Sequence, residues 1–180
     1  MPLYSIVLFL HLVGAVTLFA SLGLDWTCLR HLRSARTVDA IRTWADAATA
    51  APPLAILAAT LIVFPGIYLA TKLAAWGHGW VELSLATVVV MGILGGRVGA
   101  SRMHALKRGY TDAAAGPASP ALITLATDPV LLTGFYIRTA LGLGVVFLMA
   151  TRPGVTVSLL VLGLALVAGG IVAWRLARAR

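Results

Sequence analysis

Ionisable side chains inside apolar segments are the residues of this sequence that could do chemistry. His11 lies within an apolar run near the start of the chain, and Asp25 follows that run. Polar groups inside a bilayer are costly and mark functional positions. A neutral imidazole at His11 can serve as an axial haem ligand, with Gly14 one turn further leaving room for a flat macrocycle. The alternative is a histidine that hydrogen-bonds a neighbouring helix.

Arg138 is a second charged residue within an apolar run. An unpaired guanidinium there is expensive, so it needs an anionic partner. We predict a structural ion pair with Asp25; a haem propionate or a lipid phosphate is the alternative partner. In the second case His11, Gly14 and Arg138 together form a candidate binding site for haem b, the one cofactor that the sequence suggests.

His78 and Glu82 stand one helical turn apart where a third apolar run begins, and Pro65-Gly66 should kink the run before it. Two imidazoles and a carboxylate can hold a transition metal, so His11, His78 and Glu82 form a candidate metal site. The alternative for Glu82 is simple stabilisation of a helix N-terminus. We assign no catalytic residues.

The elements that position these residues are five apolar segments, each about as long as the roughly 20 residues that cross a bilayer core as a helix. Because backbone polar groups in lipid must pair within their own segment, long apolar runs form helices. We predict an all-α, polytopic membrane helix bundle in one domain, residues 1–180. Its spans are 3–24, 50–70, 80–99, 130–150 and 155–174.

Composition supports a membrane protein and excludes a nucleic-acid-binding one. Charged residues make up only 11% of the 180 residues and hydrophobic residues 60%. A soluble domain carries about 25% charged residues. The net charge of +8 is ordinary for a protein whose basic loops face anionic lipid. The first run lacks the basic start and short length of a cleaved signal peptide, so we expect it to be retained.

The basic residues predict the orientation. Eleven of the 14 Lys and Arg residues lie at the ends of the spans that must share one side. The positive-inside rule places that side in the cytoplasm, with the N-terminus outside. The eleven are Arg30, Arg33, Arg36, Arg42, Arg97, Arg102, Lys107, Arg108, Arg175, Arg178 and Arg180.

Two connecting segments and one glycine-rich face complete the pattern. Residues 27–48 are amphipathic and should form an interfacial helix or a helical extension of the first span. Residues 100–129 form a cytoplasmic loop in which Asp128 caps a helix beginning at Pro129. Small residues four apart let helices approach closely, which predicts packing within the chain or a contact between chains. These residues are Gly92, Gly95, Gly96 and Gly99.

The segment 10–15 (LHLVGA), followed by Trp26 and Arg30, resembles the first helix of a group of small bacterial membrane proteins. The group includes the membrane-bound protoporphyrinogen oxidase family, the copper-resistance D family and relatives of unknown function. The ending 148–153 (LMATRP) resembles the group's closing signature. The resemblance implies a haem ligand at His11. It departs at Ser84, where the oxidases have Lys, and in the fifth span, so the uncharacterised branch, which implies no activity, is the nearest match.

These observations leave three functions. The first is a non-enzymatic accessory or structural subunit in a larger, energy-transducing membrane complex, with the bilayer and other membrane subunits as partners. The second is a b-type haem redox protein with His11 as axial ligand. The third is a carrier of small solutes or ions, which needs a polar path through the membrane. The expected location is the bacterial inner membrane.

Overall fold

The computed structural model describes residues 2–178, so Arg180 of the basic group lies outside the described residues. That part of the chain is an all-α bundle. Its helices are α1 (Pro2–Ser34), α2 (Val38–Ala47), α3 (Ala51–Lys72), α4 (Gly79–Ile93), α5 (Ala100–Thr111), α6 (Pro120–Ala126), α7 (Pro129–Thr151) and α8 (Val155–Arg178).

Five stretches of helix are long and apolar enough to cross a membrane. Many of their large apolar side chains face outwards: Leu12 is 55% exposed, Phe64 69% and Leu164 69%. Exposed apolar surface on this scale is unstable in water and suits contact with lipid chains. The five helices therefore indicate an integral membrane protein.

The bundle has two chemically different ends. The turns at 73–78 and 152–154 lie at one end, where Gly79 approaches Val155, and we call this the short-turn end. The opposite end carries α2, α5 and α6 and most of the basic residues, and we call it the basic end.

Three helices at the basic end, α2, α5 and α6, form a packed layer with the end of α1. Leu32, Ile41 and Leu106 are fully buried there, and the Tyr110 hydroxyl donates to Asp46 at 2.8 Å. The predicted interfacial helix at 27–48 is thus divided: its first part continues α1, and α2 packs on α5. Likewise, much of the predicted loop at 100–129 is helical, in α5 and α6.

Local capping explains where these shorter helices begin. Thr37 and Ser119 accept hydrogen bonds from backbone amides three residues on, which starts α2 and α6. Asp128 accepts from the Val130 amide at 2.8 Å, with Pro129 in the first turn of α7. The predicted cap at Asp128 is confirmed.

Two pairs of neighbouring helices make the closest contacts, α1 with α3 and α7 with α8. A methyl group on Gly14 would lie 2.8 Å from the backbone of Leu61, and one on Gly169 would lie 2.9 Å from the Tyr136 carbonyl oxygen. Both glycines therefore allow two backbones to approach.

Packing within the chain was one prediction for the glycine-rich face of the third span, and most of that face is not packed against another helix. Only Gly95 has a close side-chain neighbour from another helix, since a methyl group there would lie 2.8 Å from Nη1 of Arg138. Gly92 and Gly96 face open space, and near Gly99 only its own helix comes within 4 Å. A six-residue π-helical stretch, Leu94–Gly99, carries three of these glycines.

Candidate functional site

An apolar cavity of about 410 Å³ lies between α1, α3, α4 and α7. It is partly open and runs from the short-turn end towards the middle of the bundle. Tyr4, Trp80 and Arg152 line its outer part, and Phe19 and Met91 line its inner part. Small-molecule sites are clefts of about 300–1,000 Å³ with apolar walls and a few placed polar groups. This cavity has that size and composition.

His11 is one of the polar groups in the wall. Its Nδ1 donates to the backbone carbonyl oxygen of Ile62 at 2.9 Å. A carbonyl oxygen can only accept, so the proton of the neutral ring sits on Nδ1 and Nε2 carries a lone pair. Within residues 2–178, no hydrogen bond to that Nε2 is formed.

The sequence of α3 explains why His11 fits there. Pro65 has no amide hydrogen, which loosens the helix one turn earlier, next to the carbonyl that His11 contacts. Gly66 supplies space, because a methyl group at that residue would lie 3.2 Å from Cε1 of His11. The Pro65-Gly66 pair therefore positions the imidazole.

Ser84 is the second polar group in the wall, on the first half of α4. The residue is 1% exposed, and its hydroxyl oxygen has no hydrogen-bond partner among the described residues. Leaving a buried hydroxyl unpaired costs about 1–3 kcal/mol. A bound molecule with a hydrogen-bonding group would remove that cost.

Arg152 marks the place where the cavity meets the surface, since the side chain both lines the cavity and is exposed. Its guanidinium carbon lies 5.7 Å from the centre of a Trp80 ring, within the range of a cation–π contact. Its backbone is left-handed, with φ 49° and ψ 51°, at the end of α7.

The structure does not bring the three residues of the predicted haem site together. Gly14 lies against Leu61 of α3 and leaves no space for a macrocycle. Arg138 does not line the cavity, because its guanidinium is held elsewhere by Asp25. Of these three residues only His11 offers a donor atom for a haem iron, so the three do not form the haem site as predicted.

The predicted metal site is also not assembled. Nδ1 of His78 donates to the Ala75 carbonyl at 3.1 Å, and Glu82 accepts from the Gly77 amide at 2.8 Å. Both side chains thus stabilise the turn before α4. Among residues 2–178 there is no group of three or more His, Cys, Asp or Glu side chains that could hold a metal ion.

The predicted ion pair is present. Nη2 of Arg138 donates to a carboxylate oxygen of Asp25 at 2.8 Å, and its Nε donates to the Gly134 carbonyl at 3.2 Å. Both side chains are mostly buried, 17% and 19% exposed. Gly95 leaves room for Nη1, so the pair is built from α1, α7 and the π-helical stretch Leu94–Gly99.

No protein-family model, curated protein or solved structure matches the chain. The resemblance to the oxidase and copper-resistance group therefore stays a prediction.

Sequence reasoning did not find Ser84 or Arg152 as members of a site. The signal for Ser84 is its place four residues after Trp80, on the same face of a helix. Arg152 precedes Pro153-Gly154, which is typical of a tight turn, so the sequence alone gives no reason to assign Arg152 to a site. Only the fold shows that both line one cavity.

Proposed function

We propose that this chain is an integral membrane protein that binds a lipid-soluble small molecule in the cavity between α1, α3, α4 and α7. The observation that carries the proposal is the unpaired, buried hydroxyl of Ser84 in a mostly apolar wall. His11 also lines the cavity, and its free Nε2 adds a hydrogen-bond acceptor. The proposal assigns binding and no reaction.

The test is native mass spectrometry of protein released gently from its own membranes. Val88 lines the cavity one turn beyond Ser84, and Val89 is 54% exposed on the outer face. The Val88→Phe variant places extra bulk inside the cavity, and Val89→Phe adds the same bulk outside it. We expect a bound small molecule on the wild type and on Val89→Phe, and its loss from Val88→Phe. Equal bound mass on all three proteins would contradict the proposal.

A visible spectrum of the same preparation tests haem b as the ligand. His11 supports this candidate, because Nδ1 donating to a backbone carbonyl is the arrangement that orients a metal-binding imidazole. A Soret band that disappears in His11→Ala would assign haem to the cavity with one axial histidine. A colourless preparation that still carries a bound mass would assign another ligand.

A subunit role in a larger membrane complex is a second candidate. One observation favours it: Gly92 and Gly96 lie four residues apart, and no other helix of residues 2–178 comes within 4 Å of where a methyl group on either would lie. Such a face permits close approach of a partner helix. We expect Gly92→Leu to reduce the size of the assembly extracted from native membranes. Gly23→Leu is the matched control, since Gly23 also faces open space, on α1. An unchanged assembly would contradict this role.

The orientation and location are part of the proposal. Basic residues such as Arg30, Arg36 and Arg108 gather at the basic end, on and beside the packed layer of α2, α5 and α6. The positive-inside rule then places this end in the cytoplasm and the short-turn end outside. The membrane we propose is the bacterial inner membrane.

A further inference from the structure

We infer that the ligand of the cavity is an anionic glycerophospholipid, with its phosphate at Arg152 and an acyl chain along the cavity wall. This inference depends on the proposed binding function and adds the chemical class of the ligand. Three observations carry it: the charge of Arg152, the backbone that holds it, and the depth of Ser84.

Arg152 provides a cation that nothing in the described chain neutralises. It lines the cavity and is exposed, and no Asp or Glu of residues 2–178 pairs with it. The guanidinium lies against Trp80, an arrangement that keeps it at the cavity edge. A phosphate diester is the anion that a guanidinium binds best by paired hydrogen bonds.

The backbone at Arg152 shows that the charge sits where another residue type would fold more easily. Its φ of 49° is left-handed, a conformation in which side chains are disfavoured and glycine is usual at the end of a helix. Glycine is present only two residues later, at Gly154. Ala74, in the other turn at the short-turn end, has a similar φ of 50°, so this conformation belongs to the turn, and at Arg152 it fixes where the charged side chain leaves the helix.

Ser84 lies at the depth where such a lipid carries an ester carbonyl. It follows Trp80 by four residues, which places it about 6 Å deeper along α4. In a glycerophospholipid the glycerol carbons separate the phosphate from the ester carbonyls by a similar length. The buried hydroxyl of Ser84 can donate to that carbonyl, which gives it the partner that the chain lacks. The acyl chain then follows the apolar wall towards Phe19 and Met91.

The experiment titrates delipidated protein with three defined lipids and measures binding by native mass spectrometry. The lipids are diester phosphatidylglycerol, phosphatidylcholine with the same chains, and diether phosphatidylglycerol, which lacks the ester carbonyls. Both headgroups carry the phosphate, but the trimethylammonium group of phosphatidylcholine cancels the headgroup charge and is repelled by Arg152, so for the wild type we expect about a tenfold preference for phosphatidylglycerol. We also expect a preference for the diester over the diether form.

Two variants test the two contacts, with a matched control. Arg152→Gly removes the charge while suiting the left-handed backbone, so it should fold at least as stably and lose the headgroup preference. Lys72→Gln removes a cation at the same end that does not line the cavity, and it should keep the preference. Ser84→Ala should lose only the preference for the diester over the diether form.

The outcomes separate this inference from the proposed function. Equal binding of the three lipids by the wild type, or a headgroup preference that survives Arg152→Gly, overturns the inference. If Val88→Phe nevertheless loses bound lipid, the cavity binds a ligand and only its class is wrong. If Val88→Phe binds all three lipids as the wild type does, the proposed function fails as well.

Discussion

At the scale of single residues, most polar side chains inside the bundle have a partner within the chain. Asp25 and Arg138 satisfy each other, and His11 is bonded to α3 through Nδ1. Ser84 is the exception among the described residues, since its buried hydroxyl oxygen has no partner. We therefore take Asp25 and Arg138 to stabilise the fold and Ser84 to be a candidate for binding a ligand.

The protein should tolerate replacement of both charges of the ion pair better than loss of one of them. Removing one charge leaves the other buried, which costs about 3–5 kcal/mol, whereas replacing both with apolar or neutral groups is often tolerated. We expect Asp25→Asn to lower the thermal unfolding midpoint in detergent strongly. Asp25→Asn combined with Arg138→Met should recover much of the loss. Arg138→Met is measured alone as well. If the double variant loses the sum of the two single losses, the pair does not couple the helices.

The candidate site could be predicted from the sequence only in part. Arg138 lies in an apolar run and needs an anionic partner. Asp25, at the end of the first run, could be predicted as that partner. The predicted grouping of His11, Gly14 and Arg138 is not found in the structure. The sequence shows which residues share a helix face but not which helix covers that face. Gly14 was predicted to border a ligand and instead lies against Leu61.

At the scale of helices, close backbone contacts hold the bundle together. Gly14 lies at the contact of α1 with α3, and Gly169 at the contact of α7 with α8. In a membrane there is no hydrophobic force between helices, so van der Waals packing at such contacts matters more than in water.

Adding one methyl group at these contacts should destabilise the protein. We expect Gly14→Ala and Gly169→Ala each to lose about 1–3 kcal/mol, as overpacking does. The matched controls are Gly23→Ala and Gly170→Ala, which meet no atom of another element. They should be neutral or gain up to about 1 kcal/mol from better helix propensity. Thermal unfolding in one detergent compares the four variants; similar midpoints would contradict the packing described here.

Helix boundaries show where sequence reasoning reached its limit. The apolar runs predicted five long helices because length and hydropathy are local properties. The polar segments at 27–48 and 100–129 were harder, because α2, α5 and α6 are stabilised by a buried layer formed between distant parts of the chain. The caps at Thr37 and Ser119, like this packing, come from the structure and were not predicted from the sequence.

At the scale of the whole molecule, the uneven distribution of charge predicts how the protein sits in the membrane. The chain contains one cysteine, Cys28, which is buried. In a Cys28→Ala background, Ala74→Cys places a thiol at the short-turn end and Ala114→Cys places one at the basic end. In intact cells, an impermeant maleimide should label the first variant and not the second. Labelling of the second variant alone would reverse the orientation.

The central claim is that the cavity of the whole bundle holds a ligand from the membrane. A molecule that binds the folded state and not the unfolded state raises the unfolding temperature. The most direct measurement is the thermal unfolding midpoint of delipidated protein before and after adding back the lipid extract of its own membranes. We predict a clear increase for the wild type and for Val89→Phe, and little increase for Val88→Phe. An increase in Val88→Phe as large as that of the wild type would contradict the account.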